Sequence, residues 1–218
     1  MLGLRRYSHN GCSGPAPVLG MRATPDAGSL RDHHGQRKYL CGSEPRRFLA
    51  AAARMDAESG ALCRLLAFTG CRVSEALQLC PERLDAEAGR IVFRTLKRRK
   101  LAFRAVPVPA ELMRELRRLA RGKRPDEPLW PWCRQTAWRR VRRAMAEAGI
   151  TGVHASPKGL RHTFGVQNAE HNIPMPLTRD WMGHARIDTT AIYQHAVGRE
   201  ERSFARRLWR DLNLGSSN

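Results

Sequence analysis

The sequence predicts an α+β domain, mainly helical, with one small antiparallel β-hairpin. Two observations carry this. Between residues 43 and 212, apolar side chains recur in window after window at the three-to-four-residue spacing of a helix face. One pair of segments, 90–95 (RIVFRT) and 103–108 (FRAVPV), instead alternates apolar and polar residues as paired strands do.

The elements follow in order. Residues 1–36 are rich in Gly, Pro, Ser and His with no sustained periodicity, and read as a disordered N-terminal arm. Residues 37–218 read as the folded domain. Ser43-Glu44-Pro45 starts a helix to about Met55, with Phe48, Leu49 and Ala52 on one face. Ser59 or Gly60 starts a second, through Thr69, burying Leu62, Leu65, Leu66 and Phe68; Gly70 ends it. A third runs from Arg72 to Cys80, with Val73, Ala76, Leu77 and Cys80 at core spacing. The two strands follow, joined by Leu96–Ala102, which carries Lys97, Arg98, Arg99 and Lys100. Pro109 opens a helix to about Arg121, with Leu112, Leu116 and Leu119 inward. After a loop comes a basic helix, about Arg134–Gly149, with Trp138, Val141, Met145 and Ala148 as its apolar stripe. Its Arg139, Arg140, Arg142 and Arg143 form a phosphate-tracking face or a solvated one. A last helix, Arg199–Leu212, packs on its own domain or on a neighbouring protomer.

Charge narrows the partners. The chain of 218 residues holds 39 Lys+Arg against 20 Asp+Glu, a net charge of +19. So one-sided an excess points to a polyanion, nucleic acid above all. No apolar run reaches the ~20 residues needed to span a bilayer, and the N-terminus lacks the apolar core of a signal peptide. The six cysteines form no C-x-x-C pair and read mainly as buried thiols. No metal site and no cofactor are expected, and the setting is a reducing cytoplasm.

The richest stretch is Lys158–Tyr193, which gathers Lys158, Arg161, His162, His184 and Tyr193. Ser156 is placed to cap a helix and Pro157 suits its first position. Lys158 and Arg161 then share one face. Cations in a first turn oppose the helix dipole by roughly 0.3–1 kcal/mol each, which makes sense if a phosphate sits there. His184 and Tyr193, nine residues apart, would stand about 13 Å apart on one straight helix. Asp188 reads as a new N-cap, with Ile187 and Ile192 as a hydrophobic staple. A turn at Gly183–Ile187 then brings the histidine and the phenol to one point.

The ordered set of these segments resembles the tyrosine recombinases of the phage integrase type. LRHTFG and WMGHARIDTTAIY resemble that family's C-terminal signature. TGCRVSEALQL, at Thr69–Leu79, resembles its first arginine box, and TLKRRKLAFRAVPVP its β-hairpin with a catalytic lysine. The order and spacing match over roughly residues 39–213.

The resemblance implies a catalytic domain in which Arg72 and Arg161 hold the scissile phosphate and Tyr193 attacks it. Lys97, with Lys100 in reserve, protonates the leaving oxygen. Lys158 and His184 hold the phosphate and help move protons, and Glu75 orients Arg72. Lys158 is a departure: it stands three residues before Arg161, where the family has a histidine, and His154 lies too far upstream to fill that place. His162 reads as a core or supporting histidine. Arg98, Arg99, Lys100, Arg139, Arg140 and Arg143 would contact the DNA backbone. The implied partner is double-stranded DNA, bound by a homo-oligomer (the family's tetramer). The family's N-terminal DNA-clamping domain is expected to be absent. Two further readings stay open: a DNA-binding remnant or regulator that does not recombine, and a topoisomerase-like enzyme of the same chemistry.

Overall fold

A computed structural model describes residues 29–95, 102–184 and 188–193. The expected elements Lys97–Lys100 and Arg199–Leu212, and most of the expected arm, lie outside the described residues.

The domain is organised around α2 (Ala57–Thr69). This helix carries almost no polar face: Ser59, Gly60, Ala61, Leu62, Cys63, Leu65, Leu66 and Thr69 are all buried. A helix apolar nearly all round must sit in the centre of a domain. It packs against α1 (Glu44–Ala53), α4 (Ala110–Leu119), α5 (Arg134–Glu147) and α6 (Pro157–Glu170). Its start differs from expectation. Asp56 is the cap, its carboxylate accepting from the Ser59 amide at 2.9 Å, so the helix begins before Ser59. Gly60 then lies so close to α1 that a Cβ there would meet the Ala52 carbonyl oxygen at 2.6 Å.

The third helix is also shorter than expected. It spans Val73–Ala76 (α3), and a 3₁₀ turn at Pro81–Arg83 follows. A short strand β1 (Leu84–Asp85) then pairs with β2 (Arg90–Arg94), and β2 with β3 (Phe103–Pro107), all antiparallel. The expected hairpin is therefore the larger part of a three-stranded sheet. Its inward side chains are Ile91 and Phe93 on β2, and Arg104 and Val106 on β3. Hydropathy alone would set Phe103 inside and Arg104 outside. The structure has the opposite phase: Phe103 is 49% exposed and Arg104 9%.

On α5, Ala137, Val141, Ala144 and Met145 face the core. Trp138, expected in that stripe, is 46% exposed and lies under the Arg142 guanidinium, 5.6 Å from ring centre. The cysteines divide: Cys63, Cys71 and Cys80 are buried, Cys41 and Cys133 exposed. Residues 29–36, expected as part of a structureless arm, form a tight turn. The Asp32 carboxylate accepts from the His34 and Gln36 amides, and Leu30 is buried.

A second, smaller apolar cluster joins Leu30, Phe164, Val166, Met182 and Tyr193 beside the main core. It is built by α6, by the end of α7 (Met175–Met182), by Leu30 from the segment before α1 and by Tyr193 just after α8 (Asp188–Ala191). Among the described residues, no helix is long and apolar enough to cross a membrane.

Candidate active site

The site forms where the N-terminus of α3, the start of α6 and the C-terminal end of α7 meet. Arg72 is the residue before α3, in extended backbone. Glu75 sits in the first turn of that helix. Its carboxylate accepts from the Arg72 amide (2.8 Å) and from Arg72 Nη1 (2.9 Å). The spacing R-x-x-E therefore folds the arginine back over its own helix start.

Glu75 is 2% exposed, and a second arginine completes its partners. Arg104, from β3, donates Nη2 to Oε2 at 2.6 Å and Nη1 to Oε1 at 3.2 Å. Such a fork-to-carboxylate pair is the strong form of ion pair. Burial pushes the Glu75 carboxyl up, but the bonds and charge of Arg104, with Arg72 behind them, outweigh it and hold its pKa below the usual carboxylate range. Arg104 also donates Nε to the Trp181 carbonyl at 2.8 Å and lies over the Phe93 ring. The sequence reading passed over this residue. Its signal was an arginine at an inward register position of a strand, visible only once the strand's phase is known.

Arg161 lies in the first turns of α6, whose start is as expected: Ser156 Oγ accepts from the Gly159 amide at 3.2 Å and Pro157 is the first helical residue. Its guanidinium donates Nη1 to the Gly70 carbonyl (2.6 Å) and Nη2 to the Met182 carbonyl (2.7 Å). Both acceptors are carbonyls at helix C-terminal ends, which have no partner within their helices. The arginine thus ties α2, α6 and α7 together and keeps further N–H donors for a ligand. Burial, then the neighbouring charge of Arg72, lowers its pKa to about 10, so it remains a cation at neutral pH.

His184 follows the left-handed Gly183 that ends α7. Gly183 lies against Arg104: a Cβ there would sit 3.0 Å from Nη1. The His184 ring pairs through Nδ1 with Thr190 Oγ1 at 2.9 Å. Burial and the charges of Arg161, Arg72 and Arg104 depress its pKa to about 3, so the ring is neutral.

Tyr193 comes just after α8, its amide donating to the Thr190 carbonyl. It is 3% exposed. Its ring lies nearly parallel to that of His184, centroids 6.3 Å apart, and rests on α6 where residue 165 is glycine. Burial raises the phenol to about 12, while Arg161 and Arg72 are close enough to pull it the other way. The hydroxyl meets His162 Nδ1 at 3.2 Å.

The structure therefore brings together Arg72, Glu75, Arg161, His184 and Tyr193, with the exposed Lys158 at the start of the same α6 helix. Lys97, Arg98, Arg99 and Lys100 lie outside the described residues. Of the arginines expected at a phosphate-tracking face, Arg139 is exposed, Arg140 is paired with Asp56 at 3.3 Å, and Arg143 with Glu147 at 2.8 Å. Among the described residues, no group of three or more His, Cys, Asp or Glu could hold a metal ion.

Two arginines, a histidine and a tyrosine converging from four segments define a class of site suited to a phosphodiester. The sequence model of the phage integrase family matches residues 38–199, and the chain belongs to that family, as the catalytic domain of a tyrosine recombinase. Relatives include Tyrosine recombinase XerD of Neisseria meningitidis, 32% identical over 166 residues (68% of this chain, 55% of the relative). Tyrosine recombinase XerA of Pyrococcus furiosus is 28% identical over 172 residues (74% and 58%). The chain thus spans somewhat more than half the length of these relatives. The crystal structure of XerA recombinase superposes with a TM-score of 0.64 at 26% identity, covering 79% of this chain and 64% of that one. XerH site-specific recombinase bound to palindromic difH substrate, in a post-cleavage complex, has a TM-score of 0.67 at 24% identity (77% and 52%). The catalytic domain of bacteriophage HP1 integrase has 0.58 at 22% (77% and 93%).

Proposed function

We propose that this chain cuts and rejoins double-stranded DNA at specific sites through a covalent 3′-phosphotyrosine on Tyr193. One observation carries the reading: Arg72, through Glu75 and Arg104, and Arg161, directly, are both tied to the adjacent Trp181 and Met182 carbonyls at the end of α7, beside His184.

The chemistry follows from the parts. Uncatalysed phosphate-ester cleavage is extremely slow, so most of the rate must come from placing charge where the transition state develops it. The two guanidinium forks match the non-bridging oxygens of a phosphate. Glu75 and Arg104 hold the Arg72 fork in place before DNA arrives. Lys158 adds a cation at the helix start, and His184 offers a neutral Nε2 toward the phosphate. Tyr193 attacks phosphorus, and the leaving 5′ oxygen takes a proton from Lys97 or Lys100. The phosphotyrosine conserves the phosphoester, so rejoining needs no ATP. No cofactor enters the scheme. The charge of +19 and the arginines of α5 supply sequence-independent contact with the DNA backbone, with Arg98, Arg99 and Lys100 on the hairpin beside them. The protein acts as a homo-oligomer on DNA, the family's tetramer, in the cytoplasm.

A nicked duplex that loses its leaving strand tests the proposal. Wild-type protein accumulates a covalent protein–DNA adduct, and Tyr193→Phe forms none. Arg72→Ala lowers the cleavage rate on the order of 10²–10³-fold while largely retaining DNA affinity. Equal loss of both would remove Arg72 from the transition state. The burial of Tyr193 favours a second reading, a recombination-deficient DNA-binding remnant or regulator. DNA binding with no adduct from the wild type would select it. Strand exchange between two duplexes separates a recombinase from a topoisomerase-like enzyme acting on one.

A further inference from the structure

The phenol of Tyr193 is buried and has one hydrogen to place. Among the described residues its partner is His162 Nδ1, at 3.2 Å, on an imidazole that is itself 8% exposed. The other histidine beside the phenol, His184, has its Nδ1 engaged by Thr190. His162 Nε2 is buried without a hydrogen-bond partner among the described residues. With Nδ1–H, both the phenol hydrogen and the Nε2 lone pair would lack a partner among the described residues; with Nε2–H, only that one N–H does, at about 1–3 kcal/mol for each stranded group. The geometry therefore selects the tautomer with Nε2–H and a free lone pair on Nδ1.

We propose that His162 is the base that takes the Tyr193 proton as the tyrosine attacks phosphorus. This rests on the reading of Tyr193 as nucleophile. The step balances: the Oη–H bond breaks and its proton goes to Nδ1, while the Oη–P bond forms. The P–O5′ bond breaks and the leaving oxygen is protonated by the lysine acid of the hairpin.

The groups around the imidazole make the step depend on substrate. Lys158 and Arg161 act on it from its own helix, Lys38 from the segment before α1, and Tyr193 and His184 from the far side. Burial, then Lys158, Lys38 and Arg161, lowers the ring to about 4, so at neutral pH it is unprotonated and able to accept. The same cations oppose the imidazolium that acceptance would create, and the proton rests on a phenol raised to about 12. A DNA phosphate at Arg72, Arg161 and Lys158 offsets those cations. His162 then becomes a stronger base at the moment the electrophile is in place.

The test is single-turnover cleavage of a nicked duplex across pH by wild type, Tyr193→Phe and His162→Asn, whose amide oxygen can accept the phenol hydrogen but cannot carry a proton away. We expect His162→Asn to fold, bind DNA and cleave on the order of 10²–10⁴-fold more slowly. At pH values where circular dichroism shows both proteins fully folded, it should also lose the fall in rate toward acid pH expected of the wild type. A purely structural histidine would leave that acid limb in place, and such a result overturns the proposal. So does an undiminished rate in His162→Asn. Absence of any wild-type adduct overturns the nucleophile reading, and this one with it. Should His162→Asn not fold, nitrogen-15 NMR of wild-type histidines decides: Nδ1 unprotonated and Nε2 protonated supports the proposal, and the reverse tautomer sinks it.

Discussion

Arg104 shows how much of the site rests on one side chain that meets no substrate in the proposed scheme. It neutralises Glu75, takes the Trp181 carbonyl at the end of α7 and stacks on Phe93. Removing it leaves the buried Glu75 carboxylate with Arg72 alone, and losing one partner of a buried ion pair costs up to about 3–5 kcal/mol. Arg104→Met should therefore melt well below the wild type, as calorimetry would record. Arg104→Lys keeps the charge but not the fork. It should lose less stability than Met and still misplace Arg72, visible as slower adduct formation at nearly unchanged DNA affinity. Gly165 is the second telling position. An added Cβ would fall 2.5 Å from the Tyr193 ring. Gly165→Ala should expel the ring from its pocket and slow cleavage at least tenfold, despite the roughly 1 kcal/mol that alanine gains in a helix interior. Normal cleavage would show that the buried position of Tyr193 does not matter to the reaction.

At the scale of elements, α6 carries the argument. Its start was legible in the sequence because capping is local: Ser156 and Pro157 act within a few residues. Ser156→Ala should cost about 1 kcal/mol by chemical denaturation. The reason for Gly159 was not legible. The His154 carbonyl oxygen passes 1.8 Å from where its Cβ would be, a backbone contact that cannot yield cheaply. Gly159→Ala should therefore destabilise far more than the cap substitution, and equal effects would contradict this packing. The end of α7 is the complement of α6: its Trp181 and Met182 carbonyls receive Arg104 and Arg161, so two cations satisfy a helix C-terminus and complement its dipole. The strand phase was not legible for the same reason. Arg104 is inside because Glu75 is there to meet it, and Glu75 lies 29 positions away in the chain (104 − 75).

For the whole molecule, buried neutral histidines set the acid limit. His162 and His184 fall from an ordinary 6.5 to about 4 and about 3 on folding, so below pH 6.5 the unfolded chain binds protons that the folded one refuses. Stability is then full above pH 7 and is lost as pH falls from 6.5 toward 4, by an amount on the order of a few kcal/mol. The lowered Glu75 carboxyl adds to the loss at still lower pH. Melting temperature measured from pH 7.5 to 4.5 should drop steeply, and less so in His184→Gln. A flat profile would mean that the two rings are not held neutral.

The sequence by itself determined what local and compositional forces decide. These are the helical character, the one hairpin, the capped start at Ser156, the basic charge and the spaced segments that resemble one family. Only the tertiary structure decided which side chains meet. It put Arg104 inside, drew Trp138 out of the core, placed the Tyr193 hydroxyl on His162, and set Arg161 between the ends of two helices. Helix periodicity and capping act over a few residues and leave their mark in the chain's order. A buried charge or phenol is tolerable only where a partner from a distant segment arrives, and that partner is fixed by packing.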